Sequence, residues 1–286
     1  MRIRVEHETS YRFSGPVFLE PHLIRLKPRQ DAGQMLEDFS LKVSPDPAGQ
    51  CEILDACGNA AHWLWFEGMW EELLIRTEFT ARTLRDNPFD YLLHPCAFTL
   101  PLDLPALERE ALLPSLGSGS PSTRGLARKF MAEAGGDSIQ FLNRLNAWIY
   151  QNITIIPRLE PGIFTTETTL LHGRGACRDV SLVFMEVCRG AGIPARYVSG
   201  YQIGDPGQTE RDLHAYPEVY LPGAGWRGYD PTLGLTVVGG HLALCAASEP
   251  ELTAPITGTY RGNATNELLH KIHLETIPEK QTADPL

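Results

Sequence analysis

Gly173-Arg174-Gly175-Ala176-Cys177-Arg178-Asp179 is followed by Val180, Val183, Phe184, Val187 and Cys188 at i, i+3, i+4, i+7 spacing, then by Gly190, Gly192 and Pro194. The glycines before Cys177 call for a tight turn. The apolar spacing predicts a helix that opens at Cys177 and stops at the Gly/Pro cluster. Cys177 thereby falls at a helix N-terminus, where unpaired N–H groups and the helix dipole favour thiolate over thiol. Downstream, Pro194–Ile203 is short, β-branched and aromatic and predicts a strand. Leu213–Leu221 alternates, Pro222-Gly223-Ala224-Gly225 makes a turn, and Trp226–Asp230 predicts the returning strand. A helix followed by an antiparallel sheet is an α+β arrangement with the cysteine on a helix packed against the sheet.

This hairpin carries the other two reactive side chains. His214 lies near the start of its first strand and Asp230 at the end of its second, so antiparallel pairing brings them side by side. A sulfur nucleophile, an imidazole to take its proton and a carboxylate to orient the imidazole are what thiol acyl transfer requires. Among neighbouring polar residues, Asp179 reads as a first-turn acid complementing the helix dipole. Arg178 reads as a solvated face or a substrate-carboxylate contact, and His241, after Gly239-Gly240, as an ordinary loop histidine.

These segments resemble the bacterial branch of the transglutaminase-like superfamily, whose members are often described as cysteine peptidases. The resemblance rests on Gly175–Asp179, Gly192–Tyr201, His214–Pro222 and Gly225–Thr232, with Tyr11, Pro16-Val17 and Leu26–Arg29 resembling the family's N-terminal β domain. It implies a papain-like core with Cys177, His214 and Asp230 as its catalytic triad. Pro217 departs from the family pattern, and since proline cannot donate to a ladder its strand is expected at an edge or bulged.

Working outward, residues 1–83 read as an all-β domain, a sandwich or small barrel. Arg2–His7, His22–Lys27, Phe39–Val43 and Leu73–Phe79 give short strands, and Asp55–Asn59 a hairpin turn. Trp63, Trp65 and Trp70 are expected to pack in its core or at an interface. Residues 84–122 turn to Pro, Leu, Gly and Ser and read as a linker, clearest at Pro114–Pro121. Residues 123–286 form the catalytic core. Helices are expected over Thr123–Ala134, from Asp137 onward and over Thr166–His172, and a C-terminal β tail over Ile256–Ile277.

Composition narrows the function classes. The 286 residues are 43% hydrophobic and 21% charged, enough to bury a sizeable core, and contain no 18-residue apolar run. A net charge of −10 argues against a nucleic-acid partner. No phosphate-binding, dinucleotide or G-x-S-x-G motif occurs. The six cysteines lack paired C-x-x-C spacing, so no metal or other cofactor is expected. The first residues contain no signal-peptide core, which predicts a cytoplasmic protein without disulfides. The expected activity is thiol-dependent attack on peptide or protein amides, hydrolytic in preference. Cross-linking by glutamine γ-glutamyl transfer and a non-catalytic binding module on the same fold are the alternatives.

Overall fold

A computed structural model describes residues 1–158, 160–204 and 211–278. The chain opens with six strands: β1 (Arg2–Leu19), β2 (His22–Ile24), β3 (Gln34–Ser44), β4 (Gly49–Leu54), β5 (Ala60–Trp65) and β6 (Trp70–Thr83). Next come α1 (Ala106–Ala111), α2 (Pro121–Glu133), α3 (Ser138–Asn152), β7 (Thr154–Ile155), α4 (Thr166–His172), β8 (Arg174–Gly175) and α5 (Cys177–Gly190). The strands β9 (Ala195–Gln202), β10 (His214–Leu221), β11 (Gly225–Asp230), β12 (Leu235–Thr236) and β13 (His241–Ala247) follow. The last elements are β14 (Ile256–Thr257), β15 (Tyr260–Arg261) and β16 (Asn266–Ile277).

The mixed α+β class and the N-terminal β region agree with the sequence reading. One N-terminal sheet runs β15-β1-β6-β3, with β16 also paired to β1, and a second runs β14-β2-β5-β4. Ile3, Val5, Phe79 and Ala81 from the first sheet share a buried cluster with Ile24 and Leu64 from the second. Of the two architectures foreseen, this is the sandwich. Asp55 shapes the β4–β5 turn, its Oδ1 accepting the Cys57 and Asn59 N–H groups, both at 2.9 Å. The tryptophans differ from expectation. Trp63, Trp65 and Trp70 stay 39%, 41% and 39% exposed. On β5 Leu64 enters the shared core, and strand alternation sets Trp63 and Trp65 on the opposite face.

Two further expectations are corrected. The segment 84–122 is no free linker: Ala97, Leu102, Leu104 and Leu112 are buried in the helix-side core, and α1 lies within it. Its Ser120 caps α2, accepting from the Thr123 N–H, while the Ser120 N–H donates to Glu186 on α5. The C-terminal β tail, grouped with the core by sequence, pairs instead with the N-terminal half. β16 runs antiparallel to β1 over its whole length, from Arg2↔Ile277 to Phe13↔Asn266. Residues 279–286 lie outside the described residues.

The core sheet has the order β12-β11-β10-β9-β13, all antiparallel. β10 is thus internal, not the edge strand that Pro217 suggested. Its ladder with β9 runs from His214 to Val219 without a register break, while its pairing with β11 starts only at Glu218↔Gly228. The proline falls just beyond that second ladder. Helix α5 buries Val180, Val183, Phe184, Val187 and Cys188 in the cluster that receives Ala195, Val219 and Tyr229 from the sheet. Tyr201, Leu242 and Leu244 of the same sheet enter the sandwich core. The two halves therefore share buried surface.

Two buried amides stitch the free edge of β13 to the N-terminal half. Gln34 donates from Nε2 to the Ala243 carbonyl at 2.8 Å and accepts the Ala243 N–H at 2.8 Å. Asn59 does the same for Ala246, at 3.0 and 2.8 Å. Replacing Asn59 with Ala leaves two buried backbone groups unpaired. Asn59→Ala is expected to lower the unfolding free energy by about 1–3 kcal/mol in urea denaturation. A loss below about 0.5 kcal/mol, the usual scatter of surface changes, would mean that the edge does not depend on this amide.

Candidate active site

The turn before Cys177 is built as its glycines require. Gly173 has φ +60° and closes α4 in the left-handed region. A Cβ on Gly175 would lie 2.9 Å from the Asp179 Cβ, so no larger residue fits without displacement. Cys177 is then the first residue of α5, and its N–H has no intrahelical acceptor.

Asp179 does more than complement the dipole. Its fully buried carboxylate accepts from the Ala176 N–H at 2.8 Å and from the Phe164 N–H at 2.8 Å. It also receives the Arg158 guanidinium in a two-pronged pair at 3.0 and 3.1 Å. One carboxylate thus fixes both the Cys177 turn and the segment in front of it. Arg178, half-buried beside Cys177 in the wall of the same cleft, is tied to the loop in front of it. It donates to the carbonyls of Arg158, Glu160 and Gly162 at 3.0, 2.6 and 2.8 Å.

Cys177, His214 and Asp230 meet. The first residue of β10 presents His214 to the cysteine, and the last residue of β11 presents Asp230 behind it. His214 Nε2 lies 2.8 Å from Asp230 Oδ2. A carboxylate can only accept, so Nε2 carries the proton and Nδ1 is left for the sulfur. Cys177 and His214 are hydrogen-bonded side chain to side chain, and the Ala215 N–H also bonds the sulfur. The Ser181 hydroxyl lies within hydrogen-bonding distance of the carbonyls of Cys177 (2.7 Å) and Ala215 (3.1 Å), tying α5 to β10 at this point.

The electrostatics follow from these contacts. Burial disfavours the Cys177 thiolate, but the hydrogen bond and charge of His214, with the Ala215 N–H, outweigh it and bring the thiol below its usual value. Burial likewise disfavours the His214 imidazolium, yet Asp230 and then Cys177 raise it to about 10. For Asp230 burial works against the charge, and hydrogen bonds from His214 and His241 hold it far below the carboxylate range.

His241 is what sequence reasoning missed. It opens β13, and its Nε2 donates to the same Asp230 Oδ2 at 2.9 Å. Thr232 covers the other oxygen, its N–H and hydroxyl reaching Oδ1 at 2.9 and 2.6 Å. The only signal for His241 was its place after Gly239-Gly240, which does not reveal that β13 adds to the far side of β9. His214, Asp230 and His241 form a cluster of metal-ligand side chains, with donor atoms within 4.8 Å of one another. Their chemistry fits a hydrogen-bonded set better than a metal site: both Nε2 atoms carry protons to one carboxylate, and the sulfur engages His214 from the other side.

Cys177 and His214 open into a cleft of about 790 Å³. One wall comes from the core, with Ile155, Pro157, Leu213 and Leu233. The other comes from the β1–β16 side, with His7, Thr9, Tyr11, Leu268 and His270. A half-buried, hydrogen-bonded thiol and imidazole lining a cleft can attack a carbonyl and return a proton to a leaving group.

Residues 3–82 match the bacterial transglutaminase-like N-terminal region, and residues 124–231 match the transglutaminase-like superfamily. The chain thus pairs a bacterial transglutaminase-like N-terminal region with a transglutaminase-like core. An uncharacterized protein of Mycobacterium leprae is 24% identical over 292 residues, 93% of this chain and 96% of that one. A protein-glutamine gamma-glutamyltransferase of Pseudomonas aeruginosa is 35% identical over 100 residues, 31% of this chain but 15% of that protein. A solved structure of a proposed cysteine protease from Cytophaga hutchinsonii shares the fold, with a TM-score of 0.72 and 20% identity over 99% of this chain and 92% of that one.

The cysteines should differ sharply in reactivity. Burial raises Cys188 and Cys57 above the ordinary thiol value and pushes Cys245 up to about 12, whereas Cys177 is lowered. Brief iodoacetamide treatment at pH 6–7 followed by peptide mapping is expected to label Cys177 at least about tenfold faster than any other cysteine. The sharpest competitor is Cys96, whose Sγ lies 3.0 Å from His94 Nδ1. Equal labelling of these two would remove the basis for assigning Cys177 as nucleophile.

Proposed function

We propose that this chain is a thiol-dependent acyl-transfer enzyme that acts on peptide or protein amide bonds, with water as the preferred acceptor. The observation that carries the reading is the contact of Cys177, at the start of α5, with a His214 whose other nitrogen is bound to a buried Asp230. The match of residues 124–231 to the transglutaminase-like superfamily supports it.

In this reading the Cys177 thiolate attacks the amide carbonyl in the cleft. The oxyanion that forms faces the unpaired Cys177 N–H and the positive end of α5. The His214 imidazolium gives its Nδ1 proton to the departing amine, leaving an acyl thioester on Cys177. Water then enters, loses a proton to the now neutral His214, and releases the acid. Asp230 keeps Nε2 protonated throughout, so that Nδ1 stays directed at the sulfur. The cleft walls, apolar at Ile155, Leu233 and Leu268 with polar side chains between, suit an extended peptide segment.

One observation favours a second acceptor. The 35% identity to a segment of the Pseudomonas aeruginosa protein-glutamine gamma-glutamyltransferase supports transfer to an amine by the same acyl-enzyme. A competitive assay separates the two: a glutamine-containing peptide and a primary amine are offered together, and ammonia release is compared with amine incorporation. Ammonia release exceeding incorporation is expected, and dominant incorporation would replace the hydrolytic reading. Cys177→Ala abolishes both in either case. Cys177→Ala turnover equal to wild type would return the chain to a binding module.

The pH profile follows from the shifts above. The ion pair exists above the lowered pKa of Cys177 and below about 10, where His214 loses its proton. kcat/KM is therefore expected to fall on the acid side as the thiolate is protonated and on the alkaline side near pH 10. Asp230→Asn removes the charge that raises His214. It is expected to move the alkaline limb down and reduce the rate by roughly 10²–10⁴-fold. An unmoved alkaline limb in that variant would mean that Asp230 does not tune the imidazole.

A further inference from the structure

The two histidines bonded to Asp230 face different spaces. His214 lines the cleft of Cys177, whereas His241 lines a separate cavity of about 340 Å³ that shares no lining residue with the cleft. This cavity lies between the N-terminal half, which supplies Arg29, Asp31 and Arg85, and the core hairpin, which supplies Arg196, Glu218 and Arg227.

The charges of the cavity do not balance. Glu218 pairs with Arg196, its Oε2 2.7 Å from Nε, and lies 4.0 Å from Arg29. Asp31 sits 3.6 Å from Arg29. These pairs use both carboxylates. Arg85 makes no ion pair among the described residues. Among the described residues Arg227 donates to the carbonyls of Ala224 at 3.0 Å and Asp90 at 3.5 Å, with its guanidinium 4.7 Å from the centre of the Tyr91 ring. Burial and then the neighbouring positive charge of Arg85 lower Arg227 from its ordinary value, against the smaller opposing effects of Tyr91 and Asp90. His241 Nδ1 is buried and has no partner.

We propose that this cavity is a binding site for a small oxyanion, a carboxylate or a phosphate, held chiefly by Arg85 and Arg227. Planar guanidinium forks match the paired oxygens of both groups. The arrangement is independent of acyl transfer, because neither arginine lies in the Cys177 cleft.

The test is calorimetric titration of the full chain with inorganic phosphate and, separately, with malonate, at constant ionic strength and with sodium chloride as control. One of the two is expected to bind at one equivalent with a dissociation constant below about 1 mM, and which one identifies the group recognised. Arg85→Gln is expected to weaken that binding at least tenfold, with an unchanged circular dichroism spectrum and unchanged Cys177 alkylation. Arg85→Lys, which keeps the charge but loses the fork, should fall between the two. Equal affinity in wild type and Arg85→Gln, or heats no larger than those of chloride, would overturn the site. Because no readout needs turnover, a failed peptide assay and a failed titration are separable results.

Discussion

A buried carboxylate must have every oxygen satisfied, and the candidate site is organised around meeting that demand for Asp230. Removing a carboxylate from water costs several kcal/mol unless hydrogen bonds replace its hydration. Thr232 supplies two donors to Oδ1, and His214 and His241 supply one each to Oδ2. These four bonds draw on the β11 turn, β10 and β13, so the charge is accommodated only when three separate parts of the sheet are in place. The orientation of His214 toward Cys177 follows from the same bonds. Its Nε2 has no other acceptor as good, and the imidazole plane is set by the carboxylate.

Asp179 repeats this device at the other side of the sulfur. It too is fully buried, and it gathers Arg158, the Phe164 N–H and the Ala176 N–H onto one carboxylate. One buried acid therefore shapes the turn that delivers the thiol, and another aims the base. Both act by converting the cost of burying charge into positional restraint. Arg178 adds to the same loop through three carbonyls. The segment facing the cysteine is thus held by side chains on or next to the first turn of α5, and not by a sheet of its own.

Local chemistry was legible in the sequence, and contacts between distant segments were not. The Gly173–Asp179 turn, the helix it starts and the β10–β11 hairpin each announce themselves within about twenty residues, and they suffice to bring Cys177, His214 and Asp230 together. His241 could not be read this way, because its approach to Asp230 depends on β13 joining the sheet beside β9. Nor could Arg158, whose partner is 21 residues away across a loop. Pro217 misled for the same reason. A proline marks an edge only if both neighbours are ladders at that residue, and here one ladder ends before it. The tryptophans misled because aromatic content says nothing about which face of a strand turns inward.

The relation between the halves carries the last consequence. A bead-on-a-string arrangement would let the core sheet stand without the N-terminal region. Here Tyr201, Leu242 and Leu244 are buried in the sandwich core, and Gln34 and Asn59 close the free edge of β13. β13 begins with His241, so the strand that completes the Asp230 cluster is itself held from the N-terminal side. The return of β16 to β1 makes this dependence reciprocal, since the end of the chain covers its beginning. The same pairing sets β1 and β16 along the cleft, with Tyr11 and Leu268 facing the space above Cys177. The N-terminal half thus bears on the site twice, through the support of His241 and through the wall of the cleft. Loosening it would disturb both the imidazole cluster and the cleft beside Cys177.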